Sequence, residues 1–445
     1  MNKLINNFKK TDIGLIPFDW DVKKFGDVAE FKNGINFTSD QKGEIGILTI
    51  DVLNMYSNGF SVTFDNLYRV NKEIDKSYLL KSGDLLFVRS SLKREGVGWT
   101  ALFTFNNEPT TYCGFIIRAR ILVNNFDRIF LTYYFRSENA RSKLISSSAK
   151  LGITNINQGN LSNINIPLPP ISEQQKIAHI LSKIRQAIEV QEKITKTTQE
   201  LKKALMQKLF TEGLNGEPQK QTEIGLIPES WEVKSVFDLF ETQQGKQLSA
   251  RTRNGINQKS FLRTSNVFWG SLDLSKLDEM NFTKAEEIKL KLEINDVLLC
   301  EGGEIGRCVV IDRELPNVYY QNHLHRLRRK NNSINPYYFA YWIYYSFILS
   351  LKYFGIGNVT TIPNLSSSRL NSMKIPVARI EEQNQIVSFL KSLDNKSLLE
   401  ETRKNEIKDL FQVLLNQLMT GQIRAKDIEF EIEETLEKDT TKEGI

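Results

Sequence analysis

The chain has 445 residues, of which 40% are hydrophobic and 25% charged, and this composition excludes a fibrous or wholly disordered protein. Lys and Arg total 59 against 53 Asp and Glu, and residues 426–445 hold eight acids against three lysines, so the rest carries a net charge near +11. That balance permits binding to a polyanion, although a mildly basic solvated surface has the same composition.

The sequence carries no clear membrane signal. Residues 1–10 lack the apolar core of a signal peptide, and no run of about 18 apolar residues occurs. The most apolar stretch, residues 337–354, is interrupted by polar positions and predicts a buried helix. Three widely spaced cysteines predict free thiols, so we expect a soluble cytoplasmic protein.

The chain repeats itself, and the repeat decides its organisation. Residues 11–20 read TDIGLIPFDW, and residues 222–231, which lie 211 positions later, read TEIGLIPESW. Further matches follow in the same order, pairing residues 82–87 with 294–299, 112–120 with 320–328, and 166–174 with 375–383. Two copies of one unit, each about 210 residues long, therefore make up the protein.

Each copy begins with a domain of mixed secondary structure. Short strand-like runs at residues 45–52, 84–89 and 115–123 are separated by Gly, Asn and Ser clusters. This pattern is typical of a compact α+β or mostly β domain.

Each copy ends in a long amphipathic helix. After Pro170 in the first copy and Pro376 in the second, apolar residues recur in heptads over about 38 residues, or roughly 57 Å of helix. Residues 172–175 have the form of a capping box at the start of the first helix. We expect the two helices to pair in antiparallel orientation, with one domain at each end of a rod and an approximate twofold axis. The alternative is that each apolar seam docks separately onto another protein.

No motif of cofactor-dependent catalysis is recognisable. Gly306 is followed by Arg307 and Cys308 instead of the Lys and Ser or Thr of a phosphate loop, and no G-x-G-x-x-G opens a helix. His323 and His325 have strand-type spacing that would place them on one face, but with the upstream cysteines they form no recurring zinc pattern.

Basic and amide-rich loops remain as candidates for nucleic-acid binding, because Arg and Lys suit guanine edges and phosphates, and Asn or Gln suits adenine edges. The candidate DNA-binding residues are Arg89, Ser90, Lys93, Arg94, Arg118, Arg120, Lys246, Arg251, Arg253, Lys259, Arg263, Arg307 and Arg326. A plain solvated loop explains each cluster by itself. Their recurrence in two similar domains favours a reader of a bipartite site.

The arrangement resembles the specificity subunit of type I restriction-modification enzymes over nearly the whole chain. The resembling motifs are the repeated T-x-I-G-L-I-P-x-x-W at residues 11–20 and 222–231, residues 83–86, residues 166–177, and the helix end at residues 205–211. The resemblance implies two target-recognition domains, each reading one half of a split double-stranded DNA sequence and directing adenine methylation or restriction by partner subunits.

The resemblance also implies how the work is divided. Two modification subunits would hold S-adenosylmethionine, and restriction subunits would use ATP and Mg, while this chain would be non-catalytic and hold no cofactor or metal. The predicted segments are recognition domain 1 at 1–165, a long spacer helix at 166–215, recognition domain 2 at 216–374, a second spacer helix at 375–424, and an acidic, flexible tail at 425–445.

Other functions stay open at this stage. The chain could be a self-contained DNA-modifying enzyme, the specificity subunit of a type II-like methyltransferase or nuclease, or a scaffold that binds no DNA. The two recognition domains differ strongly in sequence, so we expect two different half-sites.

Overall fold

The structure is a computed structural model that describes residues 7–57, 59–104, 107–146, 154–351 and 365–428. The chain divides into two compact units, Met1–Lys193 with Thr402–Ile445, and Ile194–Glu401. Each unit contains one globular domain, domain 1 or domain 2, and a part of both long helices. The predicted segment boundaries, which assign each helix to a segment of its own, stay predictions. The acidic tail beyond Ile428 lies outside the described residues.

Domain 1 is built from short strands and helices, as its Gly- and Asn-punctuated sequence predicts. Its strands are β1 (Phe8–Thr11), β2 (Gly14–Pro17), β3 (Asp21–Lys24), β4 (Ala29–Asn33), β5 (Lys42–Gly43), β6 (Ile47–Ile50), β7 (Tyr68–Val70), β8 (Leu85–Val88), β9 (Ser90–Ser91), β10 (Thr100–Leu102), β11 (Thr110–Tyr112), β12 (Ile116–Ile121), β13 (Thr154–Asn155) and β14 (Asn165–Leu168). Its helices are α1 (Phe25–Val28), α2 (Arg128–Arg136), α3 (Glu138–Ser146) and α4 (Gln158–Ser162), and the first long helix, α5 (Ile171–Glu212), follows.

Two four-stranded sheets form the frame of domain 1. The first has the order β10-β8-β12-β4 and is antiparallel throughout, and the second has the order β11-β6-β7-β5 with β11 parallel to β6. Strand β3 pairs with β14, so the start of the domain is joined to the segment that leads into α5.

Domain 2 repeats this plan. Its strands are β15 (Gln219–Thr222), β16 (Gly225–Pro228), β17 (Glu232–Ser235), β18 (Phe240–Gln244), β19 (Gln258–Leu262), β20 (Val267–Phe268), β21 (Ser271–Leu272), β22 (Asp278–Asn281), β23 (Val297–Cys300), β24 (Cys308–Val310), β25 (Val318–Tyr320), β26 (Leu324–Arg329) and β27 (Lys374–Val377). Its helices are α6 (Val236–Leu239), α7 (Ala250–Arg253), α8 (Lys284–Lys289), α9 (Pro336–Tyr344) and α10 (Ser367–Ser372), and the second long helix, α11 (Ile380–Met419), follows.

The four-stranded antiparallel sheet of domain 2 matches that of domain 1 strand by strand, and its three-stranded sheet matches β7-β6-β11 of the other sheet, without a counterpart of β5. The order β18-β26-β23-β24 corresponds to β4-β12-β8-β10, and the order β22-β19-β25 contains a parallel pair, β19 with β25, that corresponds to β6 with β11. Strand β17 pairs with β27 as β3 pairs with β14. The internal repeat in sequence is therefore a repeat in topology.

The apolar stretch predicted as a buried helix is α9 with the π-helical turn Tyr345–Leu349. Tyr338, Phe339, Trp342 and Ile343 of α9 are buried in the core of domain 2. Residues 352–354 of that stretch lie outside the described residues. Within the described part of the chain, no helix combines the length and apolar character needed to cross a membrane.

The two long helices are slightly longer than predicted, at 42 residues for α5 and 40 for α11. The predicted capping box is wrong, because α5 begins at Ile171 and Ser172 lies inside its first turn. The Pro170 carbonyl accepts the backbone N–H groups of Glu173 and Gln174 instead. The Glu173 and Gln174 side chains contact domain 1.

Inside each unit the parts of the two long helices run antiparallel, as predicted. In the first unit Lys408 pairs with Glu192 at 2.6 Å, and Arg424, which follows α11, pairs with Glu173 at 2.8 Å. Residue numbers therefore rise along one helix in the direction in which they fall along the other. In the second unit Lys202 pairs with Asp394.

The apolar seams of the helices pack against the domain cores. Ile177, Ile180, Leu181 and Ile188 share a core with Phe411, Leu415 and Leu418 in the first unit. In the second unit Met206, Leu209 and Phe210 share a core with Ile386, Val387 and Leu390. Burial of these side chains stabilises each by about 1.5–3 kcal/mol relative to exposure.

A Trp–Glu contact anchors the start of each long helix. Trp20 is fully buried and its indole N–H donates to Glu173 Oε2 at 3.0 Å, and Trp231 donates to Glu382 Oε2 at the same distance. These tryptophans end the repeated T-x-I-G-L-I-P-x-x-W motif. The motif therefore recurs because each copy fixes its domain to its helix through a buried indole.

A glutamine makes a second anchor beside each tryptophan. Gln174 accepts the Asp127 backbone N–H at 2.9 Å and donates to the carbonyls of Asn125 and Pro169. Gln383 makes the equivalent three bonds in domain 2, with Asn335, Ser333 and Ala378. Both amides are fully buried and have both polar atoms satisfied, as buried amides require.

Candidate nucleic-acid interface

A tight turn between a parallel strand and an antiparallel strand organises one edge of each domain. In domain 1 the turn covers residues 112–116, where Ile116 N–H donates to Cys113 O at 3.0 Å. In domain 2 the turn covers residues 320–324, with Leu324 N–H donating to Gln321 O at 3.0 Å. Three neighbouring segments bond to each turn through backbone atoms.

The same backbone bonds place four residues around the turn of domain 1. Ile35 N–H donates to Tyr112 O at 2.9 Å, Cys113 N–H to Ile50 O at 3.0 Å, and Arg89 N–H to Phe115 O at 2.7 Å. We call Ile35, Asp51, Arg89 and Phe115 the loop edge of domain 1.

Domain 2 has the same frame with different side chains. Lys246 N–H donates to Tyr320 O, Gln321 N–H to Leu262 O, and Glu301 N–H to His323 O, all at 3.0 Å. The loop edge of domain 2 is therefore Lys246, Arg263, Glu301 and His323. Asp51 and Arg263 occupy equivalent positions, since each begins a short 3₁₀ turn whose third residue, Asn54 or Asn266, accepts its backbone N–H.

The first predicted cluster lies at the loop edge of domain 1. Arg89 is half-buried and donates to Gly114 O at 3.2 Å, and Ser90 bonds the side chain of Asn155. Lys93 and Arg94 are exposed, and neither forms an ion pair within the part of the chain that the structure describes. These two cations remain available to a ligand.

Arg118 and Arg326 occupy equivalent positions on β12 and β26, and the expectation that they contact DNA is revised. Arg118 is 1% exposed and donates to Glu30 at 2.9 Å and to Ser77 O at 2.8 Å. Arg326 is 4% exposed and donates to the carbonyls of Lys289 and Lys291. Both guanidinium groups tie a sheet to a neighbouring loop and have no surface with which to reach DNA.

Arg120 also has a structural partner. Its guanidinium makes two bonds to the buried Asp84, at 2.8 and 2.6 Å, and that hydrogen-bonded contact raises the pKa of Arg120. Arg328 and Asp296 form the same pair in domain 2, at 2.8 and 2.7 Å. Arg120 is only partly exposed, so its expected role in DNA binding is also revised.

The candidates of domain 2 divide by their partners. Lys246 donates to Asn281 O at 2.7 Å and to the Glu286 carboxylate. Burial raises the pKa of Glu286, but the hydrogen bonds that its carboxylate accepts outweigh this effect, so the pKa is lowered. Arg307 bonds Thr264 O and Glu304. Arg263 pairs with Asp278 at 2.7 Å, and both side chains are about half exposed.

Arg253 and Lys259 are less engaged. Arg253 is exposed and Lys259 is half-buried, and the side chain of Arg251 lies outside the described residues. Arg253 forms no ion pair with any residue in the described ranges. Arg253 resembles Lys93 and Arg94 of domain 1 in being an exposed cation without an ion pair among the described residues, although it lies at a different place in the fold.

The two histidines do not share a face, so that expectation is wrong. His323 is exposed because it precedes β26, whereas His325 is fully buried, with Nε2 at 3.3 Å from Leu365 O and 3.7 Å from Glu301. Burial lowers the pKa of His325. No group of three or more His, Cys, Asp and Glu suited to a metal occurs among the residues that the structure describes.

Sequence reasoning missed two residues of the loop edges, Phe115 and His323, and one residue next to them, Leu92. Leu92 is 92% exposed and Phe115 is 61% exposed, both line one cleft with Lys93, and His323 occupies the position of Phe115 in domain 2. The repeat alignment of residues 112–120 with 320–328 already pairs Phe115 with His323. The signal available in the sequence was this difference between the two copies, an aromatic residue at one position and a polar residue at the equivalent position.

Two copies of one mixed domain, each joined to antiparallel long helices and each carrying a different loop edge, define a duplicated binding protein. The sequence profile described as the type I restriction modification DNA specificity domain matches residues 17–200 and again 228–409. The chain belongs to that family, and the resemblance seen in its sequence is confirmed.

Relatives and solved structures agree with this assignment. The chain is 28% identical over 442 residues to the type I restriction enzyme MjaVIII specificity subunit of Methanocaldococcus jannaschii, covering 95% of this chain and 97% of the relative. Its fold is similar to that of the type I restriction-modification S subunit from M. genitalium, with a TM-score of 0.52, 15% identity, and coverage of 90% and 96%. A chain from a structural study of assembly and conformational transition in the type I R-M system gives a TM-score of 0.60 at 16% identity, with coverage of 92% and 99%. The predicted α+β fold with an internal repeat and antiparallel long helices is confirmed.

Proposed function

We propose that this DNA specificity subunit reads a bipartite DNA target, with the loop edge of domain 1 reading one half and that of domain 2 the other. One observation carries the proposal. The two loop edges have the same backbone hydrogen bonds but different side chains. Domain 1 has Asp51 where domain 2 has Arg263, and Phe115 where domain 2 has His323. A shared frame with unlike side chains is the arrangement expected of two readers of different sequences.

The free cations beside each edge supply the contacts to phosphate. Lys93 and Arg94 in domain 1 and Arg253 in domain 2 are exposed and can reach phosphates without breaking an internal ion pair. Phosphate contacts position a protein on the duplex but carry no sequence information. Arg89 and Arg263 lie on the edges themselves, and we assign the base contacts to them.

The exposed apolar side chains of the long helices support binding of two copies of one partner. Val190 and Leu410 are 58% and 50% exposed in the first unit, and Leu399 and Leu201 are 58% and 54% exposed in the second. Val190 and Leu399 are equivalent positions of the repeat. An apolar pair on paired helices suits a protein interface better than water.

We infer that these pairs receive two modification subunits. The modification subunits would hold S-adenosylmethionine and methylate adenine, restriction subunits would use ATP and Mg, and this chain would act by recognition alone. Val190→Asp and Leu399→Asp should each remove one modification subunit, so that the ratio falls from two to one. Ile45→Asp, at an exposed apolar position of domain 1 outside the helices, is the matched control and should keep two.

Methylation mapping tests the division between the domains. The chain is co-expressed with its modification subunits in a host without adenine methylation, and the modified sequences are read from the genome. Arg89→Ala should relax one half-site only and Arg263→Ala the other, each by about 1–3 kcal/mol at one position.

The phosphate contacts give a different result. Lys93→Ala and Arg253→Ala should weaken binding to all sequences and lower the salt slope by about 1. Variants of one domain that change both half-sites would contradict the division of labour. Methyl transfer by this chain alone would establish a self-contained enzyme instead, and a complex without DNA binding would establish a scaffold.

A further inference from the structure

A cleft of about 760 Å³ with a mixed polar and apolar lining lies in domain 2 beside its long helices, but a second cleft, in domain 1, adjoins the loop edge itself. This second cleft has a volume of about 710 Å³, and its walls include Leu92 and Phe115 with Tyr56 and Trp99. We call it the edge cleft.

The edge cleft has a rigid floor and exposed walls. Trp99 donates its indole N–H to Met55 O at 2.9 Å, and the guanidinium of Arg136 lies 4.8 Å from its ring centre. Tyr56 packs near Trp99 in a tilted arrangement, with 6.1 Å between ring centres. Leu92 and Phe115 rise beside this floor and are largely exposed. A single exposed leucine is ordinary, but apolar side chains that line one concave surface favour a ligand.

The charges around the edge cleft favour a polyanion. Arg89, Lys93 and Arg94 lie on the loop that forms one wall, and the two carboxylates at the cleft are Asp51 and Glu95. Asp51 is occupied internally, because it accepts Val52 N–H at 2.7 Å and the Cys113 thiol at 3.3 Å. Lys93 lines the cleft and Arg89 and Arg94 flank it on the same loop, so three cations stand against the exposed Glu95 and the internally bonded Asp51. This balance beside an apolar cleft suits a ligand with phosphates outside and an apolar group at its centre.

We propose that Leu92 and Phe115 read a thymine in the half-site of domain 1 through its C5-methyl group. The methyl group of thymine is the apolar feature that unmodified DNA presents in the major groove, and side chains such as Phe recognise it by contact. A concave cleft receives a protruding methyl group, whereas insertion between base steps needs a projecting wedge. Domain 2 has His323 in place of Phe115, so the methyl contact belongs to one half-site.

This inference rests on the proposed function, and the test separates the two. Methylation mapping first identifies the half-sites, and each thymine of both is then replaced in turn by deoxyuridine, which lacks only the C5-methyl group. Binding of the complex with its modification subunits is measured on each duplex. Loss of one buried methyl group should weaken binding about fourfold at one thymine in the half-site of domain 1.

Variants assign that methyl contact to the edge cleft. Leu92→Ala and Phe115→Ala should bind the thymine duplex more weakly and bind the thymine and deoxyuridine duplexes about equally. Both side chains are exposed, so the fold should be kept, which thermal unfolding checks. His323→Ala, the matched variant in domain 2, should keep the fourfold ratio at the half-site of domain 1.

Three outcomes overturn the inference. They are a half-site of domain 1 in which no thymine responds to deoxyuridine, Leu92→Ala and Phe115→Ala variants that keep the full ratio, and a response confined to the half-site of domain 2. In each of these the complex still binds a bipartite sequence, and the proposed function stands. A complex without sequence-specific binding contradicts the proposed function itself.

Discussion

Arg424 holds a buried carboxylate, and replacing it by Met should loosen the attachment of domain 1 to α5. The guanidinium donates to Glu173 at 2.9 and 2.8 Å and to Asp19 at 2.7 Å. Glu173 is 2% exposed, and among the residues that the structure describes its other side-chain partner is the indole N–H of Trp20. The Arg424→Met change therefore leaves a carboxylate buried without a counter-ion.

The cost follows from burial of that charge. Removing one partner of a buried ion pair costs about 3–5 kcal/mol. Because the Arg424 side chain is 17% exposed and water can reach the site, we expect a cost at the lower end of this range, about 3 kcal/mol. This cost corresponds to an increase of somewhat over a hundredfold in the equilibrium constant for local opening of the β1–β2 hairpin. Lys426→Met is the control. Among the described residues Lys426 pairs with Asp19 alone, and both side chains are about half exposed, so loss of this pair should cost under about 1 kcal/mol.

The Arg424→Met change should reverse the sign of the pH dependence that Glu173 gives to stability. Burial raises the pKa of Glu173, but the bonds from Arg424 and Trp20 outweigh it, so the pKa is lowered in the folded protein. The stability that this carboxylate contributes is thus present above its unfolded pKa and is lost as pH falls through the lowered value. Without Arg424, burial dominates and the pKa rises, so Arg424→Met should regain stability as pH falls from 7 towards 5.

Hydrogen exchange measures both effects in one molecule. The hairpin of β1 and β2 reports on the Trp20 anchor, and the hairpin of β15 and β16, beside Trp231, is the internal reference. Glu382 in that second anchor accepts Leu214 N–H and forms no ion pair with an arginine within the described ranges, so the protection of the β15–β16 hairpin should not change. Equal loss of protection in both hairpins, or loss in neither, would refute the reasoning.

Phe411→Ala should destabilise the first unit by about 3–5 kcal/mol in chemical denaturation, because the Phe411 side chain is 8% exposed and packs on Tyr133. Phe389→Ala is the control and should change stability by under about 0.5 kcal/mol, because the Phe389 side chain is 51% exposed. The three cysteines should not react with a thiol reagent at pH 8 until the protein unfolds, because burial raises their pKa values, that of Cys113 to about 12. Arg118→Met should lower the melting temperature yet leave the methylated sequence unchanged, and a changed half-site would return Arg118 to the interface.

The repeat and the long helices could be predicted because their signals are local. A heptad pattern and a motif copied 211 residues later need no knowledge of which strands pair. The start of α5 was misassigned because residues 172–175 have the capping-box pattern, whereas the helix already begins at Ile171 and the Pro170 carbonyl accepts its first free backbone N–H groups. A local sequence pattern does not show that a backbone carbonyl before the helix accepts these bonds.

The site was predicted less well because the fate of an arginine depends on strand register. Arg118 and Arg120 alternate with apolar residues on β12, which is compatible with a solvated face, and the pairing of β12 between β8 and β4 puts them against Asp84 and Glu30 instead. The sequence did contain a hint. The repeated Asp84 and Asp296 belong to one matched motif and the repeated arginines to another, and the two motifs recur because they bond to each other.

Several positions that differ between the two copies are joined to the rest of the domain through backbone atoms. Arg89 and Glu301 hold equivalent turns through their backbone N–H groups, so either residue keeps the bond to the 115 or 323 carbonyl. By contrast, the indole, amide and carboxylate of the helix anchors bond through side chains, and both copies keep them. If the loop edges read DNA as proposed, a domain built this way can change its target at little cost in folding free energy, because the backbone bonds that position the edge can be made by every residue except proline.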